Sequence, residues 1–145
     1  MKVEPYLYFD GRAEEALNFY KESIGAEILC LMRFDEGPEG MDIAPGTEHK
    51  VMHSAMQIGD SMIMVSDGMC NTEQPTPFSG ITLTISVDNA AQAERLFTAL
   101  GEGGHVQMPL SETFFADKFG MVADKFGVSW MVLAAKPQPV AEATS

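Results

Sequence analysis

Apolar and polar side chains alternate from Glu4 to Phe9, with Leu7 and Phe9 on one face and Glu4, Tyr6 and Tyr8 on the other, the period of a strand. The period then changes. Ala13, Ala16, Leu17 and Tyr20 recur at helical spacing behind Asp10, a residue type that caps helix starts, and the run ends by Gly25. Ala26 to Phe34 reads as the next strand, and Val51 to Ile58 with Ser61 to Ser66 reads as a hairpin hinged on Gly59. Between them, Asp35 to Lys50 gathers the glycines, prolines and acidic residues of a surface loop.

The same order of elements then returns. A strand is expected over Ile81 to Val87, a helix from about Asn89 to Leu100, and strands around His105 to Pro109, Gly120 to Asp124 and Val128 to Ala134. Asn89 and Gln92 have the spacing of a capping box. A shift of 78 residues lays Phe9 on Val87, Asp10 on Asp88, Phe19 on Phe97 and Gly25 on Gly103. A shift of 68 lays Gly59 on Gly127 and Ile63 on Met131. The chain therefore reads as two tandem βαβββ modules, an α+β fold in which residues 1–68 form the first module and 81–135 the second. Residues 69–80, with Pro75 and Pro77, form a linker, and 136–145 a flexible tail. Two curved mixed sheets of this kind, each with a helix outside, are expected to enclose a cavity.

Composition narrows what such a fold does. A formal net charge of −12 leaves no basic stripe to neutralise phosphates, which argues against nucleic acid. No apolar run reaches the ~18 residues of a membrane span, and Met1-Lys2-Val3-Glu4 leads straight into a strand, so a cytoplasmic protein without membrane contact is expected. Cys30 and Cys70 lack metal-site spacing and read as reduced thiols.

Three segments resemble a known family. They are Pro5-Tyr6-Leu7-Tyr8-Phe9-Asp10-Gly11 with Ala13-Glu14-Glu15-Ala16 and Phe19-Tyr20; Ile58-Gly59-Asp60-Ser61 with Ser66-Asp67; and the run from Phe119 through Trp130. The chain resembles the vicinal-oxygen-chelate superfamily of glyoxalase I, bleomycin-resistance proteins and extradiol dioxygenases, and within it the PhnB-like branch. That resemblance implies a glyoxalase/bleomycin-resistance-type fold and a homodimer. It also implies a divalent metal held by His and Glu from the first and last strand of each module. Carried across, the pattern falls on Thr82 and Met131 and, through the internal repeat, on Glu4 and Ile63. Only Glu4 of these holds a hard or borderline ion, so no metal and no cofactor are expected. A two-residue slip brings in Tyr6, Thr84, Ser61, Val65, Ser129 or Leu133, and none restores the donor set. A ubiquinone-pathway methyltransferase label attached to this branch finds no Gly-rich nucleotide-binding turn after a strand.

The expected ligand-pocket residues are then Tyr6, Tyr8, His53, Thr82, Thr84, Phe114, Phe115 and Met131. Thr82, Thr84 and Ser86 present a row of hydroxyls; Met52, Met56, Met62, Met64, Met121 and Met131 suit an adaptable lining, though most of the methionines read more simply as core. Phe114 and Phe115 sit in a loop, where they cover a cavity mouth, a partner or their own core. His49 and His53 lie about 13 Å apart on a strand, too far for one ion. His53 is either a hydrogen-bonded rim residue or a base, and His105 is expected to be exposed. Three functions follow: binding of an unidentified small organic molecule without a catalytic metal, a metal-dependent lyase, isomerase or dioxygenase, or sequestration of a cationic planar antibiotic.

Overall fold

The computed structural model describes residues 1–37, 43, 45–68 and 78–136, which divide into two compact units, 1–77 and 78–145. The expected linker lies largely outside the described residues, as do Cys70 and the tail beyond Lys136.

The first unit runs β1 (Tyr6–Tyr8), α1 (Ala13–Ile24), β2 (Glu27–Arg33), a single 3-10 turn (Phe34–Glu36), β3 (Val51–Ile58) and β4 (Ser61–Ser66). Its sheet is ordered β1-β4-β3-β2, with β1 parallel to β4 and the other neighbours antiparallel. The second unit repeats this as β5 (Thr82–Val87), α2 (Ala90–Leu100), β6 (His105–Ser111), β7 (Ala116–Ala123) and β8 (Ser129–Ala135), in the order β5-β8-β7-β6. Two four-stranded mixed sheets, each with one helix, make an α+β chain of the expected βαβββ type. Neither sheet closes on itself.

Each helix covers one face of its sheet with the side chains its periodicity selects. Ala13, Ala16, Leu17 and Tyr20 of α1 are buried, and so are Leu7, Met56, Ile63 and Val65, which share one face of the first sheet through the pairs Leu7–Val65 and Met56–Ile63. In the second unit Ala93, Leu96, Phe97 and Leu100 of α2 are buried, with Val122, Trp130, Val132 and Ala134 from the sheet. Met56 is therefore core, the simpler of its two readings.

The start of α1 corrects the sequence reading. Asp10 does not cap it; Asp10 itself sits at φ 50, and Arg12 at the cap position makes no side-chain cap bond. The capping carboxylate comes from the far end of the module. Asp67, just past β4 and 1% exposed, accepts hydrogen bonds at Oδ1 from the Gly11 and Ala13 amides, both 2.7 Å, and at Oδ2 from the Val51 amide at 2.8 Å. One carboxylate thus satisfies two free amides at the start of α1, where the helix dipole favours negative charge, and one at the start of β3. Gly25 ends α1 in the left-handed conformation, as the sequence implied.

Three details of the second unit also differ from the sequence pattern. Asn89 caps α2 by accepting from the Gln92 amide at 2.8 Å, but the Gln92 side chain accepts from Asp88 rather than from the cap, so the capping box is only half made. The buried helix positions repeat at a spacing of 80, Ala13 to Ala93 and Tyr20 to Leu100, and not at 78. Strand β7 begins at Ala116 instead of Gly120, so Ala116 to Phe119, expected in a loop, are paired strand.

Removing the Asp67 carboxylate strands three backbone amides in the interior. Asp67→Ala should cost on the order of 3–5 kcal/mol in urea unfolding. Asp10→Asn should cost less than about 1 kcal/mol. Equal losses for the two would return the capping role to Asp10.

Candidate functional site

A strand shows its side chains alternately to two faces, so the face of each sheet turned away from its helix is fixed by register. On the first sheet that face carries Tyr6 and Tyr8 from β1, Met64 and Ser66 paired beside them on β4, and His53 with Met32 across β3 and β2. Tyr6 and Tyr8, two residues apart, stack with ring centroids 5.0 Å apart and planes inclined by 23°. The Tyr6 hydroxyl lies 2.8 Å from His53 Nδ1, and the Ser66 side chain also hydrogen-bonds the phenol. Ser66 Oγ in turn accepts from the Gly68 amide at 2.9 Å. Gly68 has φ +60, and a Cβ there would stand 2.9 Å from Tyr8 Cδ1, so a glycine is needed for the Tyr8 ring to lie where it does.

The Tyr6 phenol is held above its ordinary value of about 10, chiefly because burial disfavours the phenolate. Tyr8 adds to this, and the Ser66 hydrogen bond opposes it. At neutral pH Tyr6 is a neutral phenol able to donate.

On the second sheet the corresponding face carries Thr82, Thr84 and Ser86 opposite Ser129, Met131 and Leu133. Thr84 Oγ1 lies 3.8 Å from Met131 Sδ, and Met131, Met121 and Met108 stand in one cross-strand row. Hence Tyr6, Tyr8 and His53 come together in the first unit, and Thr82, Thr84 and Met131 share a face in the second. Phe114 and Phe115 sit in the turn before β7, where the Thr113 hydroxyl accepts from the Phe115 and Ala116 amides. Phe115 packs edge-on against Phe119 at 5.2 Å, whereas Phe114, its ring 5.1 Å from that of Phe115, is 91% exposed. His49 pairs with Asp35 at 3.1 Å, away from His53, and His105 is exposed.

The metal-ligand positions need one revision. Tyr6 pairs with Met64, and Thr84, 78 residues on, pairs with Met131, which is 67 residues past Met64. The counterpart of Met131 is therefore Met64, not Ile63, whose side chain is buried on the helix face. Aligning the glycines misled because β3 and β4 join through two residues and β7 and β8 through five. The four positions become Glu4, Met64, Thr82 and Met131: one carboxylate, one hydroxyl and two thioethers, which do not fit a hard or borderline divalent ion. Among the described residues no group of three His, Cys, Asp or Glu side chains could hold a metal. No described helix is long and apolar enough to cross a membrane.

Comparison with known proteins fits this architecture. A family model described as 3-demethylubiquinone-9 3-methyltransferase matches residues 1–133. Protein YjdN of Escherichia coli K12 is 35% identical over 147 residues, covering 96% of this chain and 99% of its own. The crystal structure of protein PA1353 from Pseudomonas aeruginosa is 38% identical with a TM-score of 0.81, covering 94% of this chain and 99% of that one. A PhnB protein from Bacillus cereus is 31% identical with a TM-score of 0.76, covering 93% and 100%. More distant structures, 12% and 14% identical with TM-scores of 0.62 and 0.61, share the glyoxalase/bleomycin-resistance fold and show the fold alone.

Because the Tyr6 value is raised on folding, its contribution to stability is intact below pH about 10 and is lost as pH rises from there through the folded value. Subtracting the phenolate absorbance titration of Tyr6→Phe from that of the parent should isolate one ionisation with its midpoint above about 10. A midpoint at or below that value would mean the phenol is neither buried nor held as described.

Proposed function

This chain belongs to the PhnB-like family described as 3-demethylubiquinone-9 3-methyltransferase, and we propose that it binds a small organic molecule, without a catalytic metal, on a sheet face turned away from a helix. The observation that carries this reading is the hydrogen-bonded group of Tyr6, His53 and Ser66 beside the stacked Tyr8 ring. Such a set of aromatic surface and positioned polar atoms orients a ligand and needs no ion to do so. The donor set at Glu4, Met64, Thr82 and Met131 argues against the alternative of a glyoxalase-type lyase, isomerase or dioxygenase. Methyl transfer has no counterpart in the turns either. Strand β1 passes into α1 through Asp10-Gly11-Arg12 and β5 into α2 through Asp88-Asn89, neither a glycine-rich nucleotide cradle. Antibiotic sequestration is the same binding reading with a cationic planar ligand, and the net charge of −12 favours it only as a long-range attraction.

The edges of the sheets support a homodimer. Leu29 on β2 and Val106 on β6 are exposed on edge strands, where a second copy would cover them. The exposed Cys30 thiol suits a reducing, cytoplasmic location.

Two measurements test the binding reading and a third the dimer. Elemental analysis after dialysis against a weak chelator should find far less than one equivalent of transition metal per chain; close to one equivalent would overturn it. A thermal-shift screen of metabolites and cationic drugs should find stabilising compounds, with a gain of about 2.7 kcal/mol at a hundredfold excess over Kd. Light scattering should give twice the chain mass, and a monomer at high micromolar concentration would remove the dimer.

A further inference from the structure

Deepening the reading above, on which it rests, the chemistry of the first-unit cluster narrows the class of ligand. In the tautomer in which Tyr6 donates to His53 Nδ1, the imidazole carries its proton on Nε2. The chain from Ser66 through Tyr6 to His53 thereby ends in one N–H donor. His53 is half-buried, and among the described residues its Nε2 has no partner, so this donor is oriented and uncommitted. On the other side of Tyr6 in sequence and stacked on it lies the Tyr8 ring, closely approached by Gly68 yet 47% exposed. Met32, paired with His53 across the strands, is 42% exposed and adds soft apolar surface.

Three basic side chains of the first unit hold partners of their own. Arg33 grips both oxygens of Glu14 at 3.0 and 2.8 Å, Lys50 Nζ donates to the Gly11 carbonyl at 3.0 Å, and Lys2 pairs with Glu4 at 3.6 Å. The donor on offer to a ligand, a neutral imidazole N–H, brings no charge to match a carboxylate or phosphate. A ligand matched to one neutral donor, a fixed aromatic ring and thioether surface is flat, conjugated and uncharged. We propose that the first unit binds an uncharged planar conjugated molecule through its carbonyl or phenolic oxygen, which accepts the hydrogen of His53 Nε2 while its ring packs against Tyr8. Tyr6 acts as a positioning residue. It fixes the tautomer and the angle of the imidazole, as an outer hydrogen bond fixes a histidine in other sites.

The test uses 4-hydroxyacetophenone, with benzoate as the anionic comparator, titrated into the isotope-labelled full chain and followed by NMR of the imidazole nitrogens and tyrosine rings. The ketone should move the His53 Nε2 and Tyr8 signals and bind more tightly than benzoate. Tyr8→Leu and His53→Phe should each weaken it about tenfold, which is ~1.4 kcal/mol. Tyr6→Phe removes no ligand contact, so it should weaken binding less while turning the His53 nitrogen shifts from one tautomer to a mixture. A purely structural role for Tyr6 would leave those shifts unchanged in a folded variant. Preference for benzoate, unchanged affinity in folded Tyr8→Leu and His53→Phe, or no perturbation of His53 at about 10 mM ketone would overturn the proposal. Those outcomes leave the broader binding reading to the thermal-shift screen, where a stabilising compound that shifts only second-unit signals would keep it and place the site elsewhere.

Discussion

One buried carboxylate organises the first unit. Asp67 gathers the amides of Gly11, Ala13 and Val51, three donors that no regular element satisfies, and the Asp67 amide donates in return to the Val51 carbonyl at 2.8 Å. Buried donors left unpaired cost more than a made hydrogen bond contributes, so this node decides where β1 gives way to α1 and where β3 begins. The site residues flank it closely. Ser66 precedes Asp67, Gly68 follows it, His53 lies two residues beyond Val51, and Tyr8 lies three before Gly11. The contacts that position the tyrosines and the histidine are thus anchored by the same interaction that starts the helix.

The second unit reaches the same topology with a different carboxylate. Asp124, 3% exposed, lies in the β7–β8 connection and accepts from the Phe126 and Val128 amides at 2.9 and 3.1 Å and from Trp130 Nε1 at 2.8 Å. There the acid fixes a turn and the largest core side chain, while α2 is capped locally by Asn89. The helix-distal face accordingly lacks a counterpart of the Tyr6–His53 pair and presents hydroxyls and thioethers instead. Two modules built to one plan have diverged at the residues that satisfy their backbones, and with them in what each face offers a ligand.

Much of this was legible from periodicity, and the failures have physical causes. Strands β3 and β4 match their expected limits because alternation and the Gly59 hinge are local signals. The cap of α1 was misread because Asp10 stands at the right place in sequence, whereas the carboxylate that binds the amides arrives from 54 and 56 residues away. Ile63 was assigned to the wrong face by a one-residue slip, which reverses every side chain of a strand. The start of β7 was hidden because Ala116-Asp117-Lys118-Phe119 looks like a loop by composition and becomes a strand through pairing with β8. Tyr6, Tyr8 and His53 are each candidates by residue type, but their meeting depends on the order β1-β4-β3, in which a middle strand arrives last in the unit.

The first unit builds its ligand site from its own side chains. Methionine methyl groups report on it without disturbing it, because Met32 and Met64 lie on the face with Tyr6 and His53 whereas Met56 is buried on the helix side. With methyl-labelled methionine and a stabilising compound at saturation, the NMR signals of Met32 and Met64 should move and that of Met56 should stay. Shifts confined to Met108, Met121 and Met131, with Met32 and Met64 unmoved, would contradict the assignment of the site to the first unit.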